Sequence, residues 1–183
     1  MDYQKKIKTL EELKNIVEKL KKNGEKIVTT NGCFDLIHPG HIKYLWQAKK
    51  YGDILIVGLN SDTSIKKIKG NQRPILKEKA RSLILASLSM IDYIVIFSEV
   101  TPIKLLKTLK PNIHIKGGDY IAEKIIEYET VKKFGGEVKI IQFIKGYSTT
   151  NLIKKIKKIE IIEKPVFNKK IRNPNIEKRN KFE

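Results

Sequence analysis

"TNGCFDLIHPGHIK", residues 30–43, follows a short β-branched run, "KIVTT" (26–30), and opens a segment with Ile42, Leu45 and Trp46 on one helical stripe. A strand ending at Asn31-Gly32, a loop, and a helix entered at Pro39-Gly40 together make an anion site. The first N–H groups of a helix lack intrahelical partners and share the positive end of its dipole. Pro39 suits the first turn, where its missing donor is not needed. His38 and His41, two of only three histidines in the chain, fall at i and i+3 and so on one face of that turn. Both can offer N–H donors to phosphate oxygens, or a positive charge once protonated. Gly32 and Gly40 are expected to let a nucleotide approach the backbone closely. Two other readings stand beside this one. The pair could hold a metal with Cys33 and Asp35 as nearby candidates, although zinc wants three or four protein ligands, or a histidine could simply cap the helix.

Outward from this stretch, continuous apolar runs at 53–59, 92–97, 112–116 and 137–143 read as strands buried on both faces. Helical spacing lies between them, at Lys77–Ser89, Pro102–Leu109, Ala122–Phe134 and Thr149–Ile159. Before the first strand, Thr9 and Glu12 form a capping-box pattern ahead of Leu10, Leu13, Val17 and Leu20, a helix over 9–23. Strands alternating with helices predict an α/β, Rossmann-like, doubly wound parallel sheet of about five strands in a three-layer α/β/α arrangement. In such sheets ligands bind beyond the carboxyl ends of the strands. One domain is expected over 1–163, with a basic, flexible tail over 164–183.

The chain has 183 residues, 38 basic and 20 acidic, for a formal charge of +18. Such a surplus suits polyanions: nucleic acid, an anionic membrane surface or phosphorylated small molecules. Only four of the basic residues are Arg, which disfavours a base-reading surface and leaves a non-catalytic nucleic-acid-binding module as the rival of another class. No run of eighteen apolar residues and no signal-peptide core is present, so the expected location is cytoplasmic with no membrane partner. The single cysteine, Cys33, cannot form an internal disulfide.

"GCFDLIHPGH" resembles the signature of the cytidylyltransferase-like nucleotidyltransferases. "GLNSDTSIKKIKGNQRP", "VTPIKLLKTLKPNIHIKGGDY" and "GGEVKIIQFIKGYSTTNLIKKI" are similar, in order and spacing, to the adenylyltransferase part of ADP-heptose synthases. The likeness runs from about Lys26 to Ile159. It implies transfer of AMP from ATP, with Mg²⁺ carried by the nucleotide, to D-glycero-β-D-manno-heptose 1-phosphate, giving ADP-heptose and pyrophosphate for bacterial surface lipopolysaccharide. It also implies a stand-alone form fed by a separate sugar kinase, and a homodimer. A glycerol-3-phosphate cytidylyltransferase using CTP is the nearest alternative.

The same likeness assigns roles residue by residue. His38, His41 and a loop lysine, Lys66 ahead of Lys69, become the catalytic cations. Asn31, Gly32, Cys33, Phe34, Asp35, Gly40, Lys116, Gly117, Asp119, Tyr147, Ser148, Thr149 and Thr150 join the histidines around ATP. Asn60, Asp62, Lys69, Arg73 and Arg81 are expected at the sugar phosphate, with a surface ion pair as the rival for Arg81. Asp119 could instead cap the following helix. His114, inside a strand, is read as a core residue, and no dedicated protein metal site is expected.

Overall fold

Six parallel strands form one sheet among the described residues, which in this computed structural model are 3–142 and 146–162. They are β1 (Ile7–Lys8), β2 (Ile27–Gly32), β3 (Ile54–Asn60), β4 (Tyr93–Phe97), β5 (Ile113–Gly117) and β6 (Glu137–Ile141), in the spatial order β1-β4-β3-β2-β5-β6. The helices are α1 (Leu10–Lys22), α2 (Pro39–Lys49), α3 (Asp62–Lys69), α4 (Glu78–Ala86), α5 (Ile103–Leu109), α6 (Tyr128–Lys133) and α7 (Thr149–Ile162). The chain divides into two compact units, Met1–Thr149 and Thr150–Glu183. In the second, α7 carries Leu152, Ile153, Ile156 and Ile159 at helical spacing with lysines between them. The tail expected over Lys164–Glu183, and Phe143 at the end of the last predicted strand, lie outside the described residues.

β3 shows why its sequence is apolar without alternation. Leu55, Val57 and Leu59 enter a core with Leu45 and Ala48 of α2 and Leu85 and Ala86 of α4. Ile56 faces the other way, into a core with Leu13 and Val17 of α1, Leu105 and Leu106 of α5 and Val131 of α6. Each such side chain, fully buried, contributes about 1.5–3 kcal/mol. Both faces of the sheet are therefore covered, as an all-parallel sheet requires. Strand order reverses at β2, which pairs with β3 on one side and β5 on the other. The crevice at the carboxyl ends of β2 and β5 is thus the topological switch point.

Three elements depart from the sequence reading. The sheet has six strands rather than five, because the two residues of β1 add beside β4 through Ile7 and Lys8. Two residues cannot display a period. The basic segment after β3 is helical and not a loop: Ser61 caps α3 by accepting from the Ser64 N–H (3.1 Å), and Gly70 ends it at φ +90°. The helix expected over 122–134 is broken into a 3-10 turn at Ala122–Lys124 and the shorter α6. The capping box at Thr9 and Glu12 is made in both directions.

Candidate active site

Asn31 and Gly32 complete β2 and stay in register with Gly58 and Leu59, so the turn begins only at Cys33. Phe34 then takes a left-handed backbone (φ +43°), its ring buried beside Gly32 and 5.4 Å from the His41 ring. A Cβ on Gly32 would meet that ring at 3.0 Å. Across the sheet, the Tyr44 hydroxyl bonds Thr30 Oγ1 (2.6 Å) and the Ile115 carbonyl (3.1 Å), which fixes α2 over β2 and β5.

His38 is the N-cap of α2, and its Nδ1 accepts from the His41 N–H at 3.3 Å. The capping reading is therefore realised by His38, and the two rings lie together on the first turn of α2. An accepting Nδ1 leaves Nε2–H as the donor of the neutral His38 ring. The two imidazoles stack at 3.8 Å between centroids, tilted by 22°. Nδ1 of His41 is buried without a hydrogen-bond partner. Burial, reinforced by the charges of His38 and Lys69, pushes the His41 imidazole down to about 4. His38 is lowered too, chiefly by burial. The pair is hence neutral near pH 7, and a positive charge there lacks a compensating anion. The room beside Gly40 is taken by protein rather than left for a nucleotide: a Cβ there would lie 3.0 Å from the His38 ring and 3.2 Å from Tyr147 Cβ.

The carboxylate of Asp35 is committed elsewhere. It pairs with Arg73 (2.6 Å) and accepts from the Ile75 and Leu76 N–H groups at 2.8 and 2.9 Å. Burial alone would raise its carboxyl, but those backbone bonds and the guanidinium hold it below its ordinary value. Asp35 thereby ties the motif loop to the segment that carries Arg73. Arg81, also fully buried, is the second tie. Its guanidinium donates to the carbonyls of Leu76 (2.9 Å), Cys33 (2.6 Å) and Asn60 (2.9 Å) and to Asp62 Oδ1 (2.8 Å). Its ion pair is thus interior and not at the surface. Asp62 and Glu78 also cap each other's backbone N–H, at 2.8 and 2.9 Å, while Asn60 Nδ2 donates to Ser64 Oγ. Asn60, Asp62 and Arg81 therefore hold the ends of β2 and β3 in place. Burial pushes the Cys33 thiol up against the pull of Lys69, Arg81 and Arg73, so it stays protonated and is no nucleophile.

Of the lysines on α3, Lys69 is the one whose charge acts on both His41 and Cys33. Lys66 is exposed on the same helix. On β5, Lys116 bonds Glu127 and lies 3.4 Å from Asn31 Oδ1. Gly117 pairs with Ile141, and the Gly118 N–H donates to the Ile141 carbonyl at 3.0 Å. Asp119 is exposed, and the 3-10 turn that follows has no side-chain cap. Tyr147 lies with its ring 6.4 Å from that of His38, and Thr149 Oγ1 donates to the Leu36 carbonyl at 3.4 Å. Ser148 is half-buried, whereas Thr150 belongs to the second unit. His114 is fully buried with Nδ1 against Thr29 Oγ1 (2.9 Å).

Two features escaped the sequence reading. An open groove of about 860 Å³ starts at His38 and runs between Ile42, Trp46 and Tyr147. Helical spacing had marked Ile42 and Trp46 as one stripe, a signal usually meaning core. The second is Glu127, a carboxylate 2% exposed, which sits between Ile126 and Tyr128 with no local pattern that marks an acid for burial. Among the described residues no three His, Cys, Asp or Glu gather as a metal site, and no helix is long and apolar enough to cross a membrane.

Residues 29–164 match the cytidylyltransferase-like family model. The bifunctional protein HldE of Geobacter metallireducens is 52% identical over 155 residues, covering 85% of this chain and 32% of that protein. HldE of Helicobacter pylori is 53% identical over 146 residues, 80% of this chain and 31% of that one. This chain thus spans about a third of the length of these relatives. The crystal structure of the lipopolysaccharide core biosynthesis protein of Thermoplasma volcanium superposes with a TM-score of 0.55 at 34% identity, covering 68% of this chain and all of that one. A strand-end loop with stacked histidines at a helix start, and these matches across both sheet halves, agree: the chain belongs to the cytidylyltransferase-like family.

Proposed function

We propose that the protein transfers AMP from ATP to D-glycero-β-D-manno-heptose 1-phosphate, releasing pyrophosphate. The observation that carries the reading is the neutral, stacked His38–His41 pair at the amino end of α2, with a buried nitrogen awaiting a partner. In support of the adenylyl and sugar assignment stand the motif likeness to ADP-heptose synthases and the identity to the HldE proteins. A sugar 1-phosphate is already an anionic nucleophile, so its oxygen attacks the α-phosphorus directly as the bond to the β-phosphate oxygen breaks. Little acid–base work is needed; alignment and charge stabilisation dominate. His38 Nε2–H, the Gly40 N–H in the first turn of α2 and the Lys69 ammonium are the donors suited to the β- and γ-phosphates. Lys66 is the second lysine in reach of this role. Arg73, held by Asp35, is suited to the sugar phosphate. Arg81 serves through the backbone it holds.

Asp35 is used up by Arg73, Ile75 and Leu76, so the loop has no spare carboxylate beside the histidines. Mg²⁺ fits as a companion of the triphosphate, held by phosphate oxygens and water, where it would neutralise charge.

A substrate panel tests the reading. Pyrophosphate release is expected with ATP plus the heptose 1-phosphate. Release only with CTP plus glycerol 3-phosphate would replace it with the cytidylyl alternative. No turnover of any nucleotide, with DNA binding that persists at physiological salt, would replace it with the nucleic-acid-binding one.

A further inference from the structure

We propose that Glu127 is a positioning residue that holds the Lys116 ammonium in the switch-point crevice as a phosphate-binding cation. The inference rests on the phosphate site described under the proposed function. β2 and β5 run side by side in register, Thr29 with His114 and Thr30 with Ile115, which sets Asn31 beside Lys116 at their carboxyl ends. The crossovers leaving these two strands go to opposite faces of the sheet, α2 to one and α6 to the other. His38 opens α2 and Glu127 precedes α6, so the two helix starts flank the crevice from its two sides.

The Lys116–Glu127 pair is asymmetric. The carboxylate side chain is 2% exposed and the ammonium side chain 24%. A wholly buried acid thus anchors a cation that solvent, or a ligand, can reach. A buried ion pair is a poor device for stability alone, because apolar residues of similar volume serve as well or better. Lysine has three N–H donors. Among the described residues, its partners are Glu127 and Asn31 Oδ1, which account for two. The third is left for an oxygen in the crevice. Without Glu127 the four-carbon stem would be at liberty to swing to solvent, and ordering it on binding would cost rotamer entropy.

The test measures affinity for inorganic tripolyphosphate by calorimetry, together with the melting temperature, for the full chain and two variants. Glu127→Gln should weaken binding about tenfold, the scale of one hydrogen bond to a charged group. The double variant Glu127→Gln/Lys116→Met has no charge left buried, so it should melt near the wild type and still bind at least about tenfold more weakly. Wild-type or tighter affinity in Glu127→Gln would overturn the proposal, since the acid would then be only a brake on anion binding. A double variant that recovers both melting temperature and affinity would also overturn it, reducing the pair to a structural one. Because the readout is polyphosphate affinity, it decides this point even if no substrate pair is turned over, the result that refutes adenylyl transfer on its own.

Discussion

Acid should weaken the fold through His41, in a window set by its burial. The imidazole is pushed from 6.5 down to about 4, first by burial and then by the charges of His38 and Lys69. Between those values the unfolded chain holds a proton at this residue that the folded chain does not. Stability therefore falls as pH drops from 6.5 towards 4, and the loss levels off below. The full gap corresponds to about 3 kcal/mol, of which about 2 kcal/mol is gone near pH 4.5. Against a typical total of about 5–15 kcal/mol, that is readily measured. Urea unfolding of the wild type and His41→Gln, each at neutral pH and near pH 4.5, isolates the effect, because the glutamine does not titrate. His114 is lowered as well and acts in both proteins, so it cancels in the difference, whereas His38 stacks on His41 and its own downward shift enters the same difference. The wild type should lose about 2 kcal/mol more than the variant between the two conditions. Equal losses would refute the reasoning. A bound anion reverses the sign of the local field, so tripolyphosphate should bring proton uptake with it, and its affinity should rise as pH falls towards 6.

Three substitutions separate the buried Arg81 tie from the histidine loop. Arg81→Met removes four hydrogen bonds from a wholly buried guanidinium and should cost about 3–5 kcal/mol in denaturant unfolding. Arg81→Lys should recover little of that stability, since a point ammonium cannot span the fork. Gly40→Ala brings a methyl to 3.0 Å from the His38 ring and 3.2 Å from Tyr147 Cβ. It should lower turnover more than about tenfold while stability stays within about 1 kcal/mol, because the helix-propensity gain of alanine offsets the crowding. A fully active Gly40→Ala would show that the observed His38 position is not the working one.

How much of this was legible depends on the range over which each determinant acts. The apolar runs of β2 to β5, the Thr9–Glu12 capping box and the Pro39 helix start are written in residues a few positions apart, and the structure has them where the pattern placed them. α3 was missed because only Ile65 and Ile68 interrupt its polar run, although Ser61 at its start and Gly70 at its stop are local signals. The histidines could be seen to share a face, but not that their rings stack or that burial keeps them neutral. Asp35, Asp62 and Arg81 looked like ligand contacts in the chain, while in the fold their polar atoms are engaged with one another's loops.

The sequence by itself determined an α/β parallel sheet, a phosphate-suited loop at its first long strand, and the kinship that suggests the substrates. Those follow from period, punctuation and motif, which are local. Strand order and its reversal at β2 were decided only in three dimensions, and with them every partnership that crosses the sheet edge. Arg73 meets Asp35 across 38 positions and Arg81 meets Cys33 across 48. Lys116 finds Asn31 across 85. Such pairs form because parallel strands bring distant carboxyl ends side by side, and buried charge then settles wherever a partner can satisfy it.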